Sequence, residues 1–170
     1  MSNEKRIGAN EIGATGVGGG SIVKKIESDQ AHALNHLLHL ANDLCLAYGT
    51  ARRRIEDPEL LETLSNLDTS HDRYRVELAE CVTNLGHTPS AKGDLHGMLE
   101  RGRVVLGELQ GDEGILRAMA KNEEEMASAF REALHDHRLP AEAIEVIQRA
   151  LEHEASHAEF YNRALGRFVG

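Results

Sequence analysis

The sequence predicts an all-α protein whose main body is a four-helix bundle with a long crossover between its second and third helices. Hydrophobic residues make up 41% of the chain, aromatic residues only 4%, and there is no Trp. This composition is typical of helices that pack through aliphatic side chains. Four long segments also repeat apolar residues at spacings of three and four, which places them on one helical face.

The first two helices are predicted over residues 22–53 and 58–86, after a flexible Gly-rich tail over residues 1–21. Ser21 is a suitable N-cap for the first helix, and Asp57 with Pro58 starts the second. Gly86 is a suitable stop for the second helix. The apolar face of the first helix comprises Ile22, Ile26, Ala33, Leu37, Ala41, Leu44 and Tyr48, and that of the second Leu60, Leu64, Leu67, Leu78, Val82 and Leu85.

The other two long helices are predicted over residues 112–136 and 140–167, so the bundle covers residues 22–168. Short connections at 54–57 and 137–139 make two antiparallel pairs. The segment between the pairs is long, and a crossover helix over about residues 91–109 would span roughly 27 Å. Helices two and three then run parallel. The alternative is an up-down bundle decorated by a fifth helix.

Charge and hydropathy restrict the function. The formal net charge is −9 and the pI about 5.5, so the chain repels nucleic acid. No apolar run is long enough to span a membrane, and the first residues have no signal-peptide core. We therefore expect a cytoplasmic protein without nucleic-acid or membrane partners.

Several acidic and histidine side chains fall on the predicted apolar faces, where a polar group needs a partner. They are Asp68 and His71 on helix two, Glu123 on helix three, and Glu154 and His157 on helix four. Asp68 lies ten residues past Pro58 and Glu123 eleven past Asp112, which puts both roughly 15–17 Å below one end of a parallel pair. Glu154 reaches the same level from the antiparallel helix. We expect these side chains to converge near mid-bundle, with His157 close by at the edge of its face.

Carboxylates and imidazoles in such a group predict a metal site. Hard oxygen ligands with imidazole suit iron or manganese and also bind zinc, and positions i and i+3 on a helix present two ligands to one centre. The predicted ligands are Asp68, His71, Glu123, Glu154 and His157, supported by Arg75, Tyr48 and Tyr161. The alternative is a buried salt-bridge network with Arg75 and no metal.

At these residues the chain resembles the ferritin-like superfamily, and within it a bacterial family of ferritin-like bundles without an assigned function. The resemblance covers about residues 22–167 and includes Asp43 with Tyr48, Leu85-Gly86 before Pro89, and the segment from Gly93 to Gly97. It implies a Glu on helix one, Glu-x-x-His on helices two and four, and a Glu on helix three. Here helix one has only Ala41, Leu44 and Cys45 at the matching depth. A pair of bridged irons uses about four carboxylates, so this chain departs from a standard diiron centre. A single-metal site, an asymmetric pair of ions and a vestigial site are the alternatives.

The remaining histidines of helix one and the two cysteines are not assigned to the metal site. His32, His36, His39 and Asp43 form a stripe that we expect to be a solvated outer face of helix one, with a surface metal or a partner chain as alternatives. Cys45 and Cys81 are expected to be small buried fillers too far apart for a disulfide.

Two functional hypotheses remain. The first is a ferritin-like bundle that binds iron or another divalent metal, with redox or metal-handling activity implied by the resemblance. The second is a non-enzymatic stress or assembly protein that acts through its surface. A homodimer is the predicted assembly, with Val104, Val105 and Leu106 of the crossover as a contact or a cover for the bundle.

Overall fold

The computed structural model describes residues 18–91, 111–136 and 138–169, and these form four long helices. They are α1 (Gly18–Arg52), α2 (Pro58–Asn84), α3 (Gly111–Asp136) and α4 (Ala141–Gly166). The predicted crossover helix, the Val104–Leu106 contact and most of the predicted tail lie outside the described residues. None of the described helices has the length and apolar character needed to cross a bilayer.

The helix ends follow local chemistry. The Asp57 carboxylate accepts hydrogen bonds from the backbone N–H groups of Glu59 and Leu60, so it caps α2 as predicted. Gly86, with φ of 75°, follows the end of α2, and this left-handed conformation favours glycine. Gly111, with φ of 73°, opens α3 for the same reason.

Contacts between helix ends define the topology. The Asp112 carboxylate, at the start of α3, accepts hydrogen bonds from Glu56 N at 2.8 Å and Asp57 N at 3.0 Å, directly before α2. Helices α2 and α3 therefore start at the same end and run parallel. At the other end, Asn84 of α2 contacts Glu142 of α4. The predicted long crossover is confirmed.

Each helix packs closely against two others, and α2 and α3 face each other diagonally across the core. The core is filled by aliphatic side chains, with Tyr48, Phe130 and Tyr161 among its largest fully buried members. Ile22 and Ile26 do not join it, because α1 has 35 residues against 26 or 27 in its partners. Its first turns extend past their ends, and these two side chains are exposed.

Candidate metal centre

Four polar side chains from three helices meet in the middle of the bundle. His71 of α2, Glu123 of α3, and Glu154 and His157 of α4 each offer a donor atom, and these atoms all lie within 4.8 Å of one another. Each residue is at most 4% exposed. The structure therefore brings together four of the five side chains predicted from the sequence. His157 lies deeper than the edge position expected for it.

Glu123 is the centre of this cluster. Its Oε1 accepts hydrogen bonds from the Tyr48 hydroxyl and lies 2.8 Å from His71 Nε2. Its Oε2 lies 3.1 Å from His157 Nδ1. Burial alone would raise the pKa of Glu123, but the charge of His71 and the hydrogen bonds from both histidines lower it well below its usual value. Glu123 is therefore an anion in the core, held by donors from three other helices.

The pKa of Glu154 is shifted in the opposite direction from that of Glu123. Tyr74 donates a hydrogen bond to its Oε1 at 3.0 Å, and His71 Nδ1 lies 3.6 Å from the same oxygen. Burial, followed by the negative charge of nearby Glu123, raises the pKa of Glu154 to about 11. Glu154 is therefore protonated at neutral pH, and the two acids share one negative charge.

Two buried polar atoms of the cluster lack hydrogen bonds. Within the described part of the chain, neither His71 Nδ1 nor Glu154 Oε2 has a hydrogen-bond partner. Such atoms are uncommon in a folded core, because each gives up its hydration without a replacement. These two atoms can therefore each bind an additional group, such as a metal ion, without losing a hydrogen bond.

Two tyrosines support Glu123 from the core. The Tyr48 hydroxyl lies 2.9 Å from that of Tyr161, in addition to its bond with Glu123. Burial raises the pKa of both phenols well above the ordinary value, so both stay neutral. Helix α1 thus contributes the Tyr48 phenol at the level where the ferritin-like pattern has a carboxylate. Tyr74, which sequence reasoning missed, has the same role toward Glu154.

Asp68 does not join the cluster. Its carboxylate forms an ion pair with Arg52 at 2.5 Å, and its side chain is 19% exposed. The reason is helical geometry: residues three apart lie about 60° apart around the axis. His71 occupies the middle of the buried face of α2, so Asp68 turns toward α1 while Tyr74, three residues after His71, turns toward α4.

Arg75 also lies away from the cluster, so a buried network with Arg75 as its cation is not what the structure contains. Its guanidinium bonds the Asp72 carboxylate from Nε at 2.9 Å and from Nη2 at 2.5 Å. It also interacts with Cys45, whose pKa is raised to about 12, mainly by burial. Cys45 is only partly buried, whereas Cys81 is buried, and both are free thiols.

The prediction that His32, His36, His39 and Asp43 form a solvated face of α1 is wrong for Asp43, which is fully buried. The chain that leaves α2 covers this side of α1. Asn42 donates to Ser90 O at 3.0 Å, and Asn35 donates to Thr88 O at 3.1 Å. His32 and His36 remain exposed, as predicted.

Comparison with known proteins identifies the family. Residues 29–136 match the family model described as "Domain of unknown function (DUF2383)". The chain belongs to the DUF2383 family. The matched region includes His71 and Glu123, whereas Glu154 and His157 lie beyond it on α4. No curated protein matches the chain.

Two solved structures share the architecture. One is a conserved hypothetical protein, Rv2844, from Mycobacterium tuberculosis, with a TM-score of 0.68 and 20% identity over 82% of this chain and 93% of that one. The other is a mutant of Dps1 from Mycobacterium smegmatis, with a TM-score of 0.68 and 22% identity over 83% of this chain and 97% of that one. Dps1 is a ferritin-like protein, so the predicted ferritin-like fold of this DUF2383 protein is confirmed.

Proposed function

We propose that this DUF2383 protein binds one divalent transition-metal ion per chain, with His71, Glu123, Glu154 and His157 as its ligands. The observation that carries the proposal is the meeting of four buried donor atoms from three helices within 4.8 Å. Two imidazoles with two carboxylates suit iron(II), manganese(II) or zinc(II). A bound cation would also offset the free-energy cost of burying Glu123 and Glu154 next to each other.

The size of the cluster fits one ion after a small contraction. Donors around a tetrahedral ion lie about 3.4 Å apart when each bond is about 2.1 Å long, and donors on opposite sides of an octahedral ion lie about 4.2 Å apart. The four donor atoms lie within 4.8 Å of one another, so the widest pair needs to close by about 0.6–1.4 Å, depending on the geometry. His71 Nδ1 and Glu154 Oε2, which have no hydrogen-bond partner among the described residues, are available without breaking an existing bond.

One ion fits the donor set better than a bridged pair. A pair uses about four carboxylates, and the cluster contains two, because α1 contributes Tyr48 and Asp68 pairs with Arg52. An iron or manganese ion bound there would supply one-electron redox chemistry, and a zinc ion would supply Lewis acidity.

The chain's own residues prepare the carboxylates for this role. Tyr48 and Tyr74 each donate to one oxygen of an acid, which fixes the rotation of Glu123 and Glu154. The surrounding helices shield the ligands from most water, since every ligand is at most 4% exposed. Glu154 has to release its proton before it binds a cation, so we expect ion binding to strengthen as the pH rises.

A bundle without metal is the second candidate. It is favoured by the existing contacts of Glu123 with Tyr48, His71 and His157, which already satisfy this acid. In that case the cluster contributes to the specificity of packing, and the protein acts through its surface. A homodimer is compatible with either function.

The test uses protein purified without added metal. Elemental analysis, followed by thermal melting with iron(II), manganese(II) or zinc(II), should find one ion per chain and a stabilised fold. At an ion concentration of 100 Kd the gain is about 2.7 kcal/mol, or roughly 5–10 °C in Tm. Glu123→Ala and His71→Ala should lose both effects.

A matched control separates binding in the cluster from binding elsewhere. Asp68→Asn removes a carboxylate of the same bundle that lies outside the cluster, so it should keep the full response. No bound ion and no shift in Tm in the unsubstituted protein would favour the bundle without metal. Equal ion binding in the unsubstituted protein and His71→Ala would refute the assigned ligands.

A further inference from the structure

A cleft between α3 and α4 leads from the surface to the buried cluster. Its volume is about 580 Å³, within the range of small-molecule pockets. Glu123, Glu154 and Tyr161 lie at its base. Because the Oε2 atom of Glu154 is buried without a partner in the described residues, a polar atom at the base is available to an incoming molecule.

Small side chains create this opening. The walls carry Ala120 and Ala127 from α3, and Ala155 and Ala158 from α4. Ala158 is exposed in the structure. A larger side chain at these positions would fill the space between the helices, whereas alanine leaves an apolar surface open to a bound molecule.

Three cationic side chains lie at the rim of the cleft, although the whole chain carries a net charge of −9. Arg117, Lys121 and Arg131 line it, against one rim acid, Glu124. Arg117 is occupied by Glu113 at 2.6 Å, and Lys121 lies 4.0 Å from Glu125. Arg131 makes no ion pair with any residue that the structure describes, although its charge lies near enough to Glu154 to favour the ionised form of that acid. Its guanidinium is therefore the cation of the rim that is available to an anion.

We infer that the α3–α4 cleft binds a small organic anion, with its acid group at Arg131 and its apolar part against the alanine walls. The acid group stays at the rim, because the cations that line the cleft lie there. This inference goes beyond metal binding, because the cleft and its charges are present without an ion. A molecule seated there would lie directly beside the buried cluster.

The test uses the full chain, kept free of metal by a chelator, with hexanoate as the probe. Backbone amide shifts should change saturably at Ala120, Ala155 and Ala158. Two control molecules should bind at least tenfold more weakly than hexanoate. One is 1-hexanol, which lacks the acid group, and the other is inorganic phosphate, which lacks the apolar chain. Equal affinity for either molecule and for hexanoate would overturn the inference.

Variants locate the site. Ala158→Phe fills the cleft from an exposed position and should abolish the shifts, and Ala155→Leu should weaken binding if the first variant unfolds. Arg131→Gln should weaken hexanoate about two- to fivefold, as expected for one exposed ion pair. Arg149→Gln is the matched control: this exposed arginine of α4 pairs with Glu77 on the α2 side, and its loss should leave binding unchanged.

The two proposals fail separately. Hexanoate binding in a protein that takes up no metal would remove the proposed metal site and support the cleft. Metal binding without saturable shifts at up to 20 mM hexanoate would remove the cleft proposal alone. Shifts that persist unchanged in both Ala158→Phe and Ala155→Leu would also refute it.

Discussion

Replacing Glu154 with glutamine should change how the stability of the metal-free protein depends on pH. In the folded protein the pKa of Glu154 is about 11, against an ordinary value of 4.5. Between these two values the folded chain holds a proton that the unfolded chain releases. The contribution of this group to stability is therefore fully present below pH 4.5 and decreases as the pH rises.

The magnitude follows from proton linkage. Each pH unit in this range lowers the free energy of unfolding by about 1.4 kcal/mol. Between pH 5.5 and 7.5 the loss is about 2.7 kcal/mol, or roughly 5–10 °C in Tm for a domain of this size. Any folded pKa above about 8.5 gives nearly the same loss over this interval. Glu154→Gln removes it, because the amide has nearly the same shape and can accept the Tyr74 hydrogen bond but cannot ionise.

Urea unfolding followed by circular dichroism, with a chelator present, measures the effect at pH 5.5, 6.5 and 7.5. Every other ionisable group is the same in both proteins, so the difference between their slopes isolates Glu154. Glu152→Gln, at an exposed neighbouring position on α4, should keep the slope of the unsubstituted protein. The reasoning is refuted if Glu154→Gln also keeps that slope.

Three further substitutions test hydrogen bonds and ion pairs in the cluster and beside it. Glu123→Gln should lower the free energy of unfolding by about 3 kcal/mol, because Tyr48 and two histidines lose their charged acceptor. A loss below about 1 kcal/mol, measured by urea unfolding, would contradict this expectation. Tyr74→Phe should reduce the free energy of unfolding by about 1–2 kcal/mol, because Glu154 Oε1 loses its donor, and unchanged stability would argue against that bond. Asp68→Asn should reduce the free energy of unfolding by less than about 1 kcal/mol, since the pair with Arg52 is partly exposed. It should leave the number of bound metal ions per chain unchanged. Loss of the metal in this variant would show that Asp68 is a ligand.

Residue counting along parallel and antiparallel helices predicted the level at which the cluster forms. It placed His71, Glu123 and Glu154 at mid-bundle because the rise per residue is nearly constant in a helix. Caps were predictable for the same local reason: Asp57 and Gly86 have the side chain and the backbone freedom that their positions require. These predictions needed no knowledge of how the helices pack.

The errors arose where packing decides the direction of a side chain. Asp68 and Tyr74 flank His71 at equal angles, and only the position of the neighbouring helices determines which of them faces the cluster. The i+3 spacing of Tyr74 from His71 is the signal that could have identified it. Asp43 was expected to be exposed because the covering segment around Ser90 is distant in sequence. Ile22 and Ile26 were assigned to the core because α1 alone does not reveal where its partners end.

Anomalous scattering from crystals grown with one equivalent of iron(II), manganese(II) or zinc(II) tests the central claim most directly. The account predicts a single strong peak per chain, bonded to His71, Glu123, Glu154 and His157 at about 2.0–2.2 Å. An empty cluster in a fully ordered map would contradict it. A peak at another position, such as the exposed pair His32 and His36, with none between α2, α3 and α4, would contradict it equally.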